Sequence, residues 1–130
     1  MSGTGSRILV IDDEPALLRM ISLYLGRHNY QVTVASTAAK ARAELQASSG
    51  EFAMAVLDAT LANTTLPELG DDILAASPRM RLLVVSGYPV DMSALQAAAP
   101  GRVDFLLKPF SPEMLAGAVR RMLGAEEKSV

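Results

Sequence analysis

The 130-residue chain contains no cysteine and a single histidine, His28. Without thiols there can be no disulfide, no cysteine nucleophile and no thiolate metal site, a composition that fits a cytoplasmic setting. One histidine cannot supply a His-based metal cluster and makes a Ser-His triad unexpected. Lysine and arginine form no run, and the net charge is −2 with a pI near 5.3. The basic footprint of a direct nucleic-acid binder is therefore missing. No apolar segment approaches the roughly 18 residues of a membrane span, so membrane insertion is not expected. The opening MSGTGS has neither the charged region nor the apolar region of a secretory signal.

What is present suits one globular domain. Half the residues are hydrophobic and the mean hydropathy is +0.25, enough apolar material for a substantial core at this length. The Gly/Ser-rich residues 1–6 read as a disordered lead-in, 7–124 as the domain, and 125–130 as a flexible tail. Short apolar runs begin near residues 7, 31, 53, 81 and 103: RILVI, QVTVA, FAMAVLD, RLLVV and VDFLL. Between them lie segments with helical periodicity. Pro15–His28 is amphipathic with Pro at a first helical position and Asn29 as its end cap. An Ala-rich helix follows Ser36 or Thr37 to about Ser48 and is closed by Gly50. Further helices are expected from Pro67 to about Ala76, over Asp91–Ala98, and over Ser111–Leu123 with Ser111 as N-cap. Strict alternation of strand and helix specifies an α/β fold, with helices on both faces of a parallel sheet. The expected form is the flavodoxin-like, doubly wound (βα)5 arrangement with strand order 2-1-3-4-5.

Ligands of such sheets collect outside the carboxyl ends of the strands. The polar residues there are Asp12 and Asp13, Asp58, Ser86 and Lys108. Each has an ordinary explanation when taken singly: acids favour a helix N-terminus, a serine favours a turn, and a lysine before proline is a solvated charge. Their joint arrival at one edge of one sheet asks for more. Three neighbouring carboxylates repel and need a cation, and an all-oxygen ligand set suits Mg²⁺, which readily shares its coordination with phosphate oxygens. Lys108 and the ion would offset charge growing on a transferring phosphoryl group, and Ser86 could hydrogen-bond one of its oxygens. Asp58, alone in mid-sheet, is the candidate nucleophile and would form an acyl phosphate; the Asp12/Asp13 pair is better placed to hold metal.

The ordered set VIDDEP, AVLDA, VVSGYP and LLKPF resembles the successive signatures of bacterial response-regulator receiver domains, over roughly Arg7–Leu123. The resemblance implies that Asp58 takes its phosphoryl group from a phosphohistidine on a histidine kinase or on its phosphotransfer domain. It implies Mg²⁺ ligation by Asp13 directly, Asp12 partly through water, Asp58, and the backbone carbonyl of Thr60. Lys108 would pair with Asp58 or the phosphoryl group, and the Lys108–Pro109 bond would be cis. Ser86 and Phe105 match the hydroxyl and aromatic switch positions. The surface formed by helix 4, strand 5 and helix 5 would then change on phosphorylation. Such a protein is a signalling switch, at most phosphorylating and dephosphorylating itself, and is a monomer or a weak phosphorylation-dependent dimer. SGYP, KPF and SPEML also resemble receivers fused to hybrid sensor histidine kinases.

Two positions depart from that pattern. A Pro four residues after the acceptor and a Gly eight after it are replaced by Ala62 and Leu66. Loss of a glycine that tolerates positive φ predicts a reshaped loop over Ala59–Leu66 and puts the Thr60 ligand in question. Phe105 lacks the phenol of a tyrosine, so core packing explains it as well as switching does. Two other functions remain open from sequence: an interaction module impaired in phosphorylation, and a Mg²⁺-dependent phosphohydrolase. The latter commonly needs an acid two residues after its nucleophile, where this chain has Thr60.

Overall fold

The computed structural model describes residues 5–48 and 51–127. Five strands, β1 (Arg7–Ile11), β2 (Gln31–Ala35), β3 (Met54–Asp58), β4 (Arg81–Ser86) and β5 (Val103–Leu107), form one parallel sheet in the order β2-β1-β3-β4-β5. They alternate with α1 (Pro15–Arg27), α2 (Ala38–Ser48), α3 (Leu66–Ala75), α4 (Ser93–Ala98) and α5 (Pro112–Glu127). This is the expected doubly wound topology.

The period-two alternation of strand side chains divides the core in two. Ile8, Val10, Met54, Val56, Leu83 and Val85 pack beneath α1 and α5, against Leu18, Ile21, Leu25, Leu115 and Val119. Leu9, Ile11, Ala55, Leu57, Leu82 and Val84 face α2, α3 and α4, against Ala41, Leu69, Ile73 and Leu95. Both faces of β3 are covered, so its run is apolar until Asp58. The edge strand β2 is only partly covered, which explains its polar alternation.

Helix ends follow local chemistry. Asn29 adopts φ +70 and closes α1: its amide bonds Gly26 O at 3.1 Å, and the Tyr30 amide bonds Leu25 O at 3.2 Å. Thr37 caps α2 through the Lys40 amide, and Ser111 caps α5 through the Met114 amide. Gly50, expected to close α2, lies outside the described residues. Several expected boundaries shift. Gly5 and Ser6 are not loose, since the Gly5 amide bonds Asn29 O and Ser6 O accepts the Gln31 amide, extending the β1–β2 edge. At the other end α5 continues to Glu127, so part of the expected tail is helical. Helix α4 starts at Ser93 rather than Asp91, because the Asp91 carboxylate accepts the Ser93 amide at 3.0 Å and stays outside the helix.

The loop after β3 is ordered by means other than the missing glycine. Leu61 is buried, Asn63 takes the left-handed conformation at φ +64, and Thr65 caps α3. The Thr65 hydroxyl accepts the Glu68 amide while the Glu68 carboxylate accepts the Thr65 amide, a reciprocal capping box. Helix α3 therefore begins at Leu66, one residue earlier than Pro67 suggested. Asparagine is one of the few residues that enters the left-handed region at low cost, so the positive φ moves to Asn63 and Leu66 is free to be helical.

Candidate functional site

The sheet register carries four strand ends to one edge. Ile11 lies opposite Leu57, Asp58 opposite Val85, and Ser86 opposite Leu107. Backbone bonds extend the ladder one step further: Asp12 N–H to Ala35 O at 3.2 Å, Ala59 N–H to Val85 O at 2.9 Å, and Lys108 N–H to Ser86 O at 2.8 Å. The acids and the lysine are thus placed by main chain.

Counting in twos along the strands tells which side chains can meet. Asp12 continues the parity of Ile8 and Val10, Asp58 that of Met54 and Val56, and Lys108 that of Leu106, all on the α1/α5 face. Ser86 and Phe105 continue the opposite parity, that of Val84 and Val103 on the α4 face. The structure follows this division. The Lys108 Nζ donates to Asp12 Oδ2 at 3.0 Å and lies 3.8 Å from Asp58 Oδ2. Ser86 is 1% exposed, and its hydroxyl oxygen accepts the Tyr88 amide at 3.1 Å. Phe105 is half-buried and packs on the α4-side core, as Val90 does.

Asp12 and Asp58 are 2% and 4% exposed, whereas Asp13 is exposed. One carboxylate oxygen from each of the three lies within 4.8 Å of the others. Burial pushes the Asp12 carboxyl above its ordinary value, with the Asp58 charge adding to the rise. The Lys108 hydrogen bond, the Glu14 amide and the Lys108 charge pull the other way without cancelling it. Burial by itself would lower Lys108, but its hydrogen bond to Asp12 and the charges of Asp12, Asp58 and Glu14 hold the ammonium above its usual range. One ammonium against three carboxylates leaves the cluster short of positive charge. An all-oxygen donor set with two buried members and one open to solvent fits a hydrated divalent cation such as Mg²⁺. Beside the cluster a cleft of about 390 Å³, lined by Glu14, Leu17, Gly87, Lys108, Pro109 and Phe110, opens to solvent. The Lys108–Pro109 bond is cis.

A match to the family model described as "Response regulator receiver domain" runs over residues 8–120. The chain belongs to the response-regulator receiver domain family. It is 36% identical over 121 residues to the alginate biosynthesis transcriptional regulatory protein AlgB of Pseudomonas aeruginosa, covering 90% of this chain and 26% of that protein. It is 28% identical to the sensor kinase CckA of Brucella abortus, over 98% of this chain and 13% of the kinase. Among solved structures, a CheY-like receiver domain protein from Methanospirillum hungatei superposes with a TM-score of 0.83 at 27% identity, covering 98% of this chain and 100% of that one. The receiver thus spans about a quarter or less of the length of these two curated relatives. Among its described residues, no helix is long and apolar enough to cross a membrane.

The receiver brings Asp12, Asp13, Asp58 and Lys108 together as the strand ends predicted, with one rearrangement. Lys108 was expected on Asp58 or a phosphoryl group, yet its hydrogen bond goes to Asp12, whose oxygen is nearer. Thr60 shows a contact that sequence reasoning missed. Its amide and its hydroxyl both donate to Asp58 Oδ1, at 3.0 and 2.9 Å. The signal was available: an Asp followed two residues later by Thr or Ser favours a turn closed on the Asp side chain. Asp91 and Ser93 form the same pair on the surface.

Proposed function

We propose that this receiver accepts a phosphoryl group on Asp58 from the phosphohistidine of a histidine kinase or of its phosphotransfer domain. The observation that supports this most is the buried Asp58 carboxylate set beside buried Asp12, exposed Asp13 and the Lys108 ammonium at one open sheet edge. A lone pair of Asp58 forms the new O–P bond. The P–N bond of the phosphohistidine breaks and its electron pair stays on the ring nitrogen. Asp12, Asp13, Asp58 and the Thr60 carbonyl are the residues that would hold Mg²⁺, which when bound supplies charge neutralisation at the phosphoryl oxygens. Lys108 moves from Asp12 toward the phosphoryl group as a second positive contact.

Ser86 and Phe105 are proposed as the switch pair. They share the α4 face and lie on adjacent strands, so a turn of the Ser86 hydroxyl toward the edge leaves space that the half-buried Phe105 ring can fill. The surface of α4, β5 and α5 carries the change to a partner, and the receiver works as a switch that at most phosphorylates and dephosphorylates itself. The ordered loop from Asp58 to Thr65 favours a working acceptor site over an impaired one. Thr60 stands where a phosphohydrolase would carry its second acid, and its hydroxyl is committed to Asp58. Phosphotransfer from a purified, autophosphorylated kinase tests the reading: wild type gains label and Asp58→Ala does not. Equal labelling of the variant contradicts it.

A further inference from the structure

We propose that α3 and α4 are joined at two points and open and shift as one unit, giving the loop after Asp58 a route to the α4 surface besides Ser86 and Phe105. The joint is carried by its own contacts, while the route rests on the phosphoacceptor reading of Asp58.

Helix α4 is six residues long, too short to persist on its own hydrogen bonds. Ser93, Ala94, Gln96, Ala97 and Ala98 are exposed, and Leu95, 3% exposed, is its one buried side chain. With the flanking Met92 and Ala99, which are also buried, Leu95 decides where α4 lies. It rests against α3 at Gly70. A methyl group added to Gly70 would come within 3.0 and 3.3 Å of the two Leu95 methyls. That is closer than packed carbons sit, so the seat exists because position 70 carries no side chain.

The second point is Arg102, in the turn between α4 and β5. Its guanidinium donates to three carbonyls at the end of α3 and the lead into β4. These are Leu74 O at 3.1 Å, Ser77 O at 2.7 Å and Met80 O at 2.9 Å. Helix α3 has no basic residue in its own last turn, so the cation at its negative end comes from beyond α4. The Arg102 backbone is bonded too, its amide to Ala99 O at 3.1 Å and its carbonyl to the Leu82 amide at 2.8 Å. One residue thus fastens the exit of α4 to the end of α3 and to β4, through charge-assisted bonds that are stronger than neutral ones. Helix α3 itself starts from the far side of the short loop that follows Asp58. A change in that loop reaches α3 first and α4 through the two joints.

Hydrogen exchange of the full chain, followed by mass spectrometry, tests both parts. In the resting protein Arg102→Ala should raise exchange about tenfold over residues 93–99 as well as 74–80, though its side-chain bonds all go to the second segment. Leu95→Ala should loosen the same two segments, and Gln96→Ala, an exposed change on α4, should match wild type. Should Leu95→Ala fold poorly, Gly70→Ala strains the same contact from the α3 side and should loosen both segments. A rise confined to the segment that lost its contact overturns the joint. For the route, wild type is labelled with acetyl phosphate and Mg²⁺, and labelling is confirmed by intact mass. Exchange over 66–75 and 93–99 should then change in the same direction, by factors within about twofold of each other. Labelled protein in which α4 changes while α3 does not, or in which neither changes, overturns the route. If Asp58 takes no label, the acceptor reading falls and the route with it, while the resting comparison still decides the joint.

Discussion

The Lys108 ammonium sits 3.0 Å from Asp12 Oδ2 and 3.8 Å from Asp58 Oδ2, so its hydrogen bond goes to Asp12 while Asp58 stays within ion-pair reach. The candidate nucleophile is left with Thr60 on one oxygen and a free lone-pair side on the other. On the proposed transfer, a divalent ion held by Asp12 would share that acid with Lys108, whose ammonium also has Asp58 Oδ2 at 3.8 Å.

Lys108→Ala removes that internal cation and leaves two buried carboxylates facing each other. Unfolding by denaturant in EDTA should show a loss of about 2 kcal/mol, smaller than for a fully buried pair because Lys108 is partly exposed. Saturating Mg²⁺ should recover much of it. Because the Lys108 pKa is raised on folding, its contribution is complete below the ordinary value of 10.5 and is lost as pH climbs through the folded value. The gap between wild type and variant should therefore hold from neutral pH upward and close only in strong alkali.

Asp12 behaves in the opposite sense at neutral pH. Its folded pKa is raised above 3.8, mainly by burial, so the folded state holds this proton more tightly than the unfolded chain does. Its contribution is most favourable in acid and is lost as pH rises above 3.8 through the folded value. Asp12→Asn should consequently stabilise the metal-free protein at neutral pH by about 1 kcal/mol. The gain should shrink toward pH 4, and a urea titration at several pH values would reveal a constant gain if burial of charge is not the cause.

Asp13 is the exposed member of the acid cluster and contributes little to folding by itself. Asp13→Asn should leave the metal-free melting temperature within a degree or two, since surface changes cost about 0.5 kcal/mol or less. The rise in melting temperature on adding Mg²⁺, present in wild type, should be much reduced. An undiminished Mg²⁺ response would remove Asp13 from the ligand set.

The reciprocal cap at Thr65 is what replaces the glycine at the start of α3. Thr65→Ala should cost about 1 kcal/mol of stability. Hydrogen exchange should rise across residues 59–66 more than in β3. Labelling of Asp58 at a temperature where the variant is folded should continue, because Thr60 and Asp58 make their bonds without α3.

Most of the architecture could be read from spacing. Five apolar runs separated by helical periods make 2-1-3-4-5 the usual sheet order, and the structure has it. The gathering of Asp12, Asp58 and Lys108 was legible because each is the polar residue that ends or directly follows an apolar strand run. Parity would even have put Ser86 on the other face. The rearrangements came from short-range chemistry that strand spacing does not report. Asn63 absorbed a positive φ that a missing Gly at 66 seemed to demand. Thr60 turned its hydroxyl back on Asp58, and Lys108 chose the nearer of two acids. Helix ends moved for the same reason, as at Asp91, where a side-chain turn holds a residue out of α4.

The central claim is that Asp58, and no other acid in the cluster, carries the phosphoryl group. Intact-mass measurement after incubation with acetyl phosphate and Mg²⁺, followed by borohydride reduction and peptide sequencing, reads this directly. Wild type should gain the mass of a single phosphoryl group that is lost on EDTA-free standing, with reduction mapping to Asp58, and Asp58→Ala should gain none. Modification mapping to Asp12 or Asp13, or an unchanged gain in Asp58→Ala, would contradict the account.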